Sequence, residues 1–428
     1  MRAARPFAPS RVPVYYGWII AVVAAVGTLF SVPGQTIGVS VFTDHLLEAA
    51  PGVSRVGIAN AYLVGTVLSA LSLPLAGRWL DRFGARPTAF VAVAVLSGTM
   101  LGLSRLEPAA RALGGSAAAS LALLVLGFYL IRLTGQGTLT MVCRTMVGRW
   151  FDRRRGLVAG VSAVFINFGF GYAPRVFEDW IQRGGWQRAY QQMALVEMGV
   201  MGAVVLLFFR DDPESSGLTL EGRAPPRDDG QPVVPEPAST RAEAIRTLAF
   251  WSVTAALAVQ ALTITAVSFH IVDLGASAGL DRASAVDFFF PLAAVSTGVG
   301  VVAGTAGDRL GPRFMILGMS LAQAVGLYGA ADLDGRWALA AGGLGVAAGF
   351  FPPLSTVAFP RFFGRTHLGA ITGVEMMCIV VGSALGPALF AFVRAETGSY
   401  DAALYGCLAL PALVLALALV YRTPQPGG

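Results

Sequence analysis

The stretch Gly77-Arg-Trp-Leu-Asp-Arg-Phe-Gly-Ala-Arg86 recurs in the second half of the chain as Gly304-Thr-Ala-Gly-Asp-Arg-Leu-Gly-Pro-Arg313. Both copies fit the pattern GxxxDRxGxR, and their first residues, at positions 77 and 304, are 227 residues apart. Each copy lies in a short polar loop between two apolar runs. Five fixed positions at equivalent places in both halves indicate an internal duplication.

Apolar runs make up most of the 428 residues, of which 55% are hydrophobic and only 13% are charged. Soluble domains carry about 25% charged residues. The runs have the length of about 20 residues that crosses a ~30 Å hydrocarbon core as a helix. A membrane β-barrel would instead show alternating segments of about 10 residues. The sequence therefore predicts an all-α polytopic membrane protein.

Polar residues divide the runs into twelve predicted helices, six on each side of a polar linker. The helices are predicted at about 15–42, 55–78, 87–105, 118–147, 156–179, 187–209, 245–272, 284–306, 314–332, 337–359, 368–393 and 400–421. The predicted domains are a tail at 1–14, a six-helix bundle at 15–209, a linker at 210–244, a second bundle at 245–421 and a tail at 422–428. The linker is rich in Pro, Asp, Glu and Arg, which is typical of extended, mobile segments.

The basic residues, all 31 of them Arg, are distributed unevenly between the loops. The termini, the linker and the loops after even-numbered helices carry 21, the opposite loops carry 8, and two lie inside helices. Because cytoplasmic loops hold the Arg excess, we expect both termini and the linker to be cytoplasmic, in a bacterial inner (plasma) membrane. The basic residues lie in short loops, which disfavours nucleic-acid binding.

Several functional classes find no support in the sequence. The three cysteines, Cys143, Cys378 and Cys407, lie in apolar runs without a CxxC pair, so neither a disulfide framework nor a zinc site is expected. No catalytic triad, flavin motif or phosphate-binding loop is found. We therefore expect no enzyme activity, no cofactor, no metal and no ATP-driven transport.

The repeated loop resembles the loop signature of the major facilitator superfamily, and the resemblance covers essentially the whole chain. Arg132-Leu-Thr-Gly-Gln-Gly137 is similar to the family's helix-4 motif. Tyr15-Tyr-Gly-Trp18 and Phe269-His-Ile-Val-Asp273 resemble the monocarboxylate and oxalate:formate antiporter branch. Unlike that branch, predicted helix 8 contains neither Arg nor Lys. The resemblance implies a major facilitator fold, with helices 1, 4, 7 and 10 lining a central cavity.

The repeated loops are predicted to form charge clusters on the cytoplasmic face. The first Gly permits close helix approach, the Asp accepts bonds from Arg or caps a helix N-terminus, and the second Gly permits a tight turn. The resemblance implies that these loops gate access, whereas a static topology anchor is the alternative. The candidate gating residues are Gly77, Asp81, Arg82, Gly84, Arg86, Gly304, Asp308, Arg309, Gly311 and Arg313.

Ionisable side chains within a bilayer core cost about 3 kcal/mol or more, so each one is a candidate for function. Arg132 could bind an anion, or it could clamp a backbone carbonyl. Arg175 could also bind an anion, or it could pair with a nearby carboxylate. Glu375 is a candidate proton carrier, while Glu197 is expected to be structural. His270, near the outer end of helix 7, could form a gate or proton relay, or it could be a solvated rim residue.

Uncharged residues complete the set of candidates. Polar side chains inside helices could bind substrate or join helices, and consecutive prolines in predicted helix 10 are expected to interrupt it beside two aromatic residues. The candidates of these kinds are Gln35, Gln136, Gln260, Asn167, Phe350 and Phe351.

Taken with the resemblance, these features favour a secondary active transporter that moves a small organic anion, such as a monocarboxylate, by alternating access with proton coupling. An antiporter or facilitator of a neutral or cationic small molecule is one alternative. A non-transporting membrane sensor or scaffold on the same fold is another. The expected partners are a small-molecule substrate, protons and the lipid bilayer, and the expected state is a monomer.

The cytoplasmic assignment of the linker is directly testable. A single Cys introduced as Gly230→Cys into a variant without native cysteines should resist impermeant thiol reagents applied to intact cells. Rapid labelling from outside would reverse the predicted orientation.

Overall fold

The computed structural model describes residues 6–222 and 238–422. The rest, including Gly230 of the predicted linker and nearly all of the predicted C-terminal tail, lies outside the described residues. Within them the regular elements are helices, without a strand. The predicted all-α class is confirmed.

Twelve principal helices, numbered α1 to α12, each overlap one predicted helix. The first six are Gly17–Phe30, Arg55–Phe83, Ala85–Leu103, Ala117–Trp150, Arg155–Gly184 and Trp186–Phe208, and the last six are Leu248–Ser277, Phe289–Leu310, Pro312–Ala330, Leu333–Phe363, Leu368–Thr397 and Asp401–Val420. Shorter helices lie between them at Leu106–Ala112, Arg241–Ala244 and Arg282–Asp287.

Ten of the described helices combine the length and hydropathy needed to cross a bilayer. Of the other two principal helices, α9 has 19 residues, which at 1.5 Å per residue reach about 28 Å. α1 is strongly apolar but has only 14 residues, and the chain continues beyond it in a second segment, Thr36–Glu48. The protein is therefore an integral membrane protein with six principal helices on each side of its linker.

Predicted helix 1 is interrupted in the structure. The 3-10 turn Val32–Gly34 separates α1 from the second segment, Thr36–Glu48. Pro33 has no backbone N–H to donate, so the regular hydrogen-bond pattern is disrupted here. The prediction of one continuous helix over 15–42 is therefore wrong.

α10 is helical where the sequence predicts an interruption. Pro352 and Pro353 both lie inside it, and its non-helical backbone angles occur at Arg336, near its start. Each proline removes one backbone donor, but in membrane proteins neighbouring helices and hydroxyl side chains compensate for such losses. α10 packs against both α8 and α9. The predicted interruption is thus wrong, although the prolines are where the sequence places them.

The chain divides into two compact units. Of the described residues, the first contains 6–150, 165–222 and 372–377, and the second contains 151–164, 238–371 and 378–422. α5 and α11 each contribute to both units. The core of the first includes Phe42 stacked on Tyr190, with ring centroids 4.0 Å apart. The core of the second joins residues of α7, α9, α10 and α12.

The described ends of the linker contain short helical turns at Glu214–Ser216, Leu220–Gly222 and Arg241–Ala244. The last of these begins with a capping box, in which the Thr240 amide donates to Glu243 Oε2 at 2.7 Å. This bond lowers the pKa of the Glu243 carboxyl. The turn leads directly into α7.

Glycine packing between α9 and α10 gives a stability prediction with an adjacent control. A Cβ added at Gly343 would lie 2.4 Å from the backbone nitrogen of Gly326, whereas one added at Gly342 would meet nothing within 4 Å. We expect Gly343→Ala to destabilise the protein by about 1–3 kcal/mol through overpacking. Gly342→Ala should be neutral or slightly stabilising, since Ala favours helix by about 0.5–1 kcal/mol. Melting curves in detergent measure both, and equal melting temperatures would contradict this packing.

Candidate substrate and coupling site

The middle of α4 is π-helical from Arg132 to Leu139. This stretch approaches the turn after α1 so closely that a Cβ on Gly135 would lie 2.8 Å from the Cα of Gly34. Single π-turns inside α-helices are frequent at functional sites. Here the wider turn begins at the charged residue that the sequence singles out.

The Arg132 side chain is buried, with 2% of its surface exposed. Its Nη1 donates to the Gly34 carbonyl oxygen and to Thr36 Oγ1, both at 3.2 Å. Its guanidinium lies 5.3 Å from the centre of the Tyr62 ring, and its Nε has no hydrogen-bond partner in the described part of the chain. The geometry is that of a carbonyl clamp, which holds the broken end of α1 against α4.

Two predicted amide residues lie beside this clamp. Gln35 Nε2 donates to Ser31 Oγ at 2.9 Å and to Thr140 Oγ1 at 3.4 Å. Gln136 is half-buried, and within the described residues its Oε1 has no hydrogen-bond donor. The structure thus brings Arg132, Gln35 and Gln136 to one polar region, where the turn after α1 meets α4.

The first unit also contains a buried ion pair. Glu375 of α11 has no exposed surface, and its Oε2 accepts a hydrogen bond from Nη2 of Arg144 in α4. The Arg144 side chain is 13% exposed. Its Nε and the second oxygen of Glu375 have no other partner among the described residues. Each charge is therefore neutralised chiefly by the other.

Sequence reasoning missed Arg144, which it counted among the 21 cytoplasmic arginines. The structure places it inside α4, which continues to Trp150. Apolar neighbours on both sides, Met141–Cys143 and Met146–Val147, were the available signal. Without Arg144 the counts are 20 against 8, which still favours the same orientation.

His270 forms a hydrogen-bonded cluster within the second unit. The ring is buried, with Nε2 lying 3.0 Å from the Pro387 carbonyl oxygen and Nδ1 lying 3.0 Å from the Tyr400 hydroxyl. The same hydroxyl donates its single hydrogen to Asp273 Oδ2 at 3.3 Å. Phe390 stacks on the imidazole, with ring centroids 6.3 Å apart. His270 is therefore not a solvated rim residue, and its connection to a carboxylate is compatible with a proton relay.

The first repeated loop is held by an ion pair. Asp81 Oδ1 accepts a hydrogen bond from Arg149 Nη2 of α4 at 2.6 Å. Gly84 has φ +88°, a backbone conformation that glycine adopts without steric cost. Arg86 Nε donates to the Phe209 carbonyl at 3.2 Å.

The second repeated loop uses the same residues differently. The Asp308 carboxylate accepts hydrogen bonds from the amides of Gly156 (2.8 Å) and Leu157 (3.0 Å), at the start of α5. Gly304 faces Gly156 so closely that a Cβ added to Gly304 would lie 2.1 Å from the carbonyl oxygen of Gly156. Gly311 has the same φ, +88°, and the Arg313 guanidinium lies 4.6 Å from the Tyr421 ring centre. Both contacts predicted for the Asp thus occur. The first copy forms the ion pair with Arg, and the second accepts bonds at a helix N-terminus.

A family model described as "Major Facilitator Superfamily" matches residues 18–341. The chain belongs to the Major Facilitator Superfamily. Monocarboxylate transporter 13 of Bos taurus is 26% identical over 359 residues, which cover 82% of this chain and 75% of that protein. The oxalate:formate antiporter of Oxalobacter formigenes is 30% identical over 125 residues, 29% of this chain. That match spans about a quarter (26%) of the antiporter.

Solved superfamily structures share the fold. The human organic anion transporter MFSD10 (TETRAN) superposes with a TM-score of 0.67 at 16% identity, covering 95% of this chain and 100% of that one. The transporter FucP gives 0.65 at 12% identity, covering 95% and 99%. These likenesses establish the twelve-helix superfamily fold. The predicted resemblance, including its monocarboxylate and oxalate:formate branch, is confirmed.

The remaining predicted residues lie elsewhere in the superfamily fold. Gln260 of α7 is buried, and neither atom of its amide has a partner in the described chain. Phe350 is buried against Phe314, and Phe351 is half-buried. Asn167 and Arg175 of α5 are exposed. Arg175 lines a separate cavity. Gly77 and Arg82 lie in the last turns of α2 and Arg309 lies in the last turn of α8, so the helices extend further into the repeated motifs than the sequence predicts.

The two loop aspartates give a graded stability prediction. Asp81→Asn removes the carboxylate that faces the buried guanidinium of Arg149, and we expect a loss of about 3 kcal/mol. Asp308→Asn keeps an oxygen that can accept amide bonds at the helix N-terminus, so we expect about 1 kcal/mol. Melting curves beside the exposed control Asp334→Asn measure both. An Asp81 variant no less stable than the control would contradict the ion-pair role.

Proposed function

We propose that this superfamily member is a secondary active transporter that moves a small organic anion, such as a monocarboxylate, together with a proton by alternating access. The observation that carries the proposal is the buried Arg144–Glu375 pair. The names of monocarboxylate transporter 13 and of the oxalate:formate antiporter support the substrate class.

The pair can couple an anion to a proton through charge balance alone. Empty, it contains one positive and one negative group, and its net charge is zero. A proton on Glu375 would leave Arg144 without its counter-charge, and an anion on Arg144 would displace Glu375 as an unpaired carboxylate. An unpaired charge in such a place is costly. A proton on Glu375 together with an anion on Arg144 restores net zero, so the two should bind together.

Arg132 has a positioning role in this scheme. Its bonds to the Gly34 carbonyl and Thr36 fix the turn that places Gln35 beside α4, where Gln136 lies. Its fixed positive charge, in the same helix as Arg144, also favours an anion in this part of the protein. The amides of Gln35 and Gln136 can bind the substrate by hydrogen bonds.

The repeated loops act as gates in the proposal. The Asp81–Arg149 and Asp308–α5 contacts hold one arrangement of the cytoplasmic ends, and transport requires their release. We further propose a monomer in a plasma membrane, with both termini cytoplasmic as the Arg asymmetry indicates.

Uptake in proteoliposomes tests the coupling with one matched pair of variants. A panel of labelled carboxylates, including formate, oxalate, lactate and pyruvate, identifies an anion that the wild-type protein moves. Glu375→Gln mimics the protonated acid and should abolish stimulation by an inward proton gradient, while exchange of labelled for unlabelled anion continues. The exposed control Glu396→Gln, on the same helix, should behave as wild type.

Three results would each contradict a different part of the proposal. Proton stimulation that persists in Glu375→Gln would remove Glu375 from coupling. Retention of full anion exchange in Arg144→Gln would remove Arg144 from the anion site. Uptake of only neutral or cationic compounds by the wild-type protein would replace the substrate class.

A further inference from the structure

The first unit contains a cavity of about 270 Å³, and neither Arg144 nor Glu375 lines it. Its walls come from the end of α1 and the following turn, from α5 and from α6. The residues that decide its chemistry are Phe30, Tyr172, Phe177, Trp180 and Glu197. The cavity is therefore apolar and aromatic, with a single ionisable carboxyl in its wall.

The α5 wall follows from the sequence. Its lining residues lie at positions 169, 172, 173, 176, 177 and 180, which are spaced three and four apart and so share one helix face. Three of them, Tyr172, Phe177 and Trp180, are aromatic. Aromatic faces attract cations through their quadrupoles.

Glu197 begins a π-helical turn, Glu197–Met201, within α6. The residue is 2% exposed, and its buried Oε1 has no hydrogen-bond partner among the described residues. No cation of the described chain forms an ion pair with it. A buried carboxylate without a counter-charge costs several kcal/mol. A positive charge in this cavity would therefore interact favourably both with the aromatic walls and with the unpartnered carboxyl.

We propose that this cavity binds a small lipophilic organic cation, with its ammonium group facing Glu197 and its apolar part packed between the aromatic walls. A volume of about 270 Å³ lies just below the range of about 300–1,000 Å³ for drug-sized ligands, so the ligand must be small. The carboxyl disfavours anions here, which separates this site from the proposed anion path. The inference does not depend on the proposed function.

Binding of a permanently charged probe and its neutral isostere tests the proposal on the wild-type protein. We would measure labelled benzyltrimethylammonium by equilibrium dialysis against the full chain in lipid nanodiscs, with neopentylbenzene as competitor. The two molecules share their shape and differ in one charged atom. We expect saturable binding, with the neutral isostere competing at least tenfold more weakly. Absence of saturable binding, or equal competition by neopentylbenzene, would overturn the proposal.

Two variants locate the bound cation. Glu197→Gln should raise the Kd at least tenfold, whereas the control Glu48→Gln, at an exposed position, should change it less than twofold. Tyr172→Ala should also raise the Kd, since it removes an exposed wall residue. Melting curves verify folding. If Glu197→Gln fails to fold, Tyr172→Ala and the isostere comparison decide the question, and an unchanged Kd in either folded variant would reject the site.

Discussion

Glu375 of α11 is fully buried, and its counter-charge in the described part of the chain is Arg144 of α4. This pair limits what the protein can bind in the surrounding region. Removing either charge, by protonation or by displacement, leaves the other unpaired in a largely buried place. Only the joint binding of a proton and an anion keeps the region neutral. A coupling rule of this kind needs no further charged group and fits the small number of ionisable side chains in the helices.

The contact between the turn after α1 and the middle of α4 is arranged by small residues and one clamp. Gly34 and Gly135 allow the turn after α1 to contact the π-helical stretch of α4, and Arg132 fixes that contact through the Gly34 carbonyl. The same turn contributes Val32 and Pro33 to the wall of the aromatic cavity. One irregular segment therefore serves both the polar region near Gln35 and the proposed cation site. Irregular backbone at membrane depth is tolerated where protein surrounds it.

Long-range patterns in the sequence predicted the class and the twelve helices, because hydropathy and the repeated loop act over whole segments. The two Asp contacts also followed from residue chemistry. Predictions that depended on tertiary contacts were less successful. The clamp on Gly34 explains how a broken helix 1 persists, and α10 continues through Pro352 because its neighbours support it. The apolar neighbours of Arg144 place it in a helix, but its partner Glu375 could not be read from the sequence. The buried cluster around His270 was likewise not predictable, because its partner Tyr400 lies 130 positions away in the sequence.

The central claim is that one proton and one anion load the Arg144–Glu375 pair without net charge. The most direct measurement is uptake of a transported monovalent anion by proteoliposomes at fixed internal and external pH, while potassium gradients with valinomycin set the membrane potential. Electroneutral loading predicts that the initial rate stays the same at inside-negative, zero and inside-positive potentials, while an imposed pH gradient changes it. A rate that rises at inside-positive potential and ignores the pH gradient would show that the anion moves alone, and the account would be wrong.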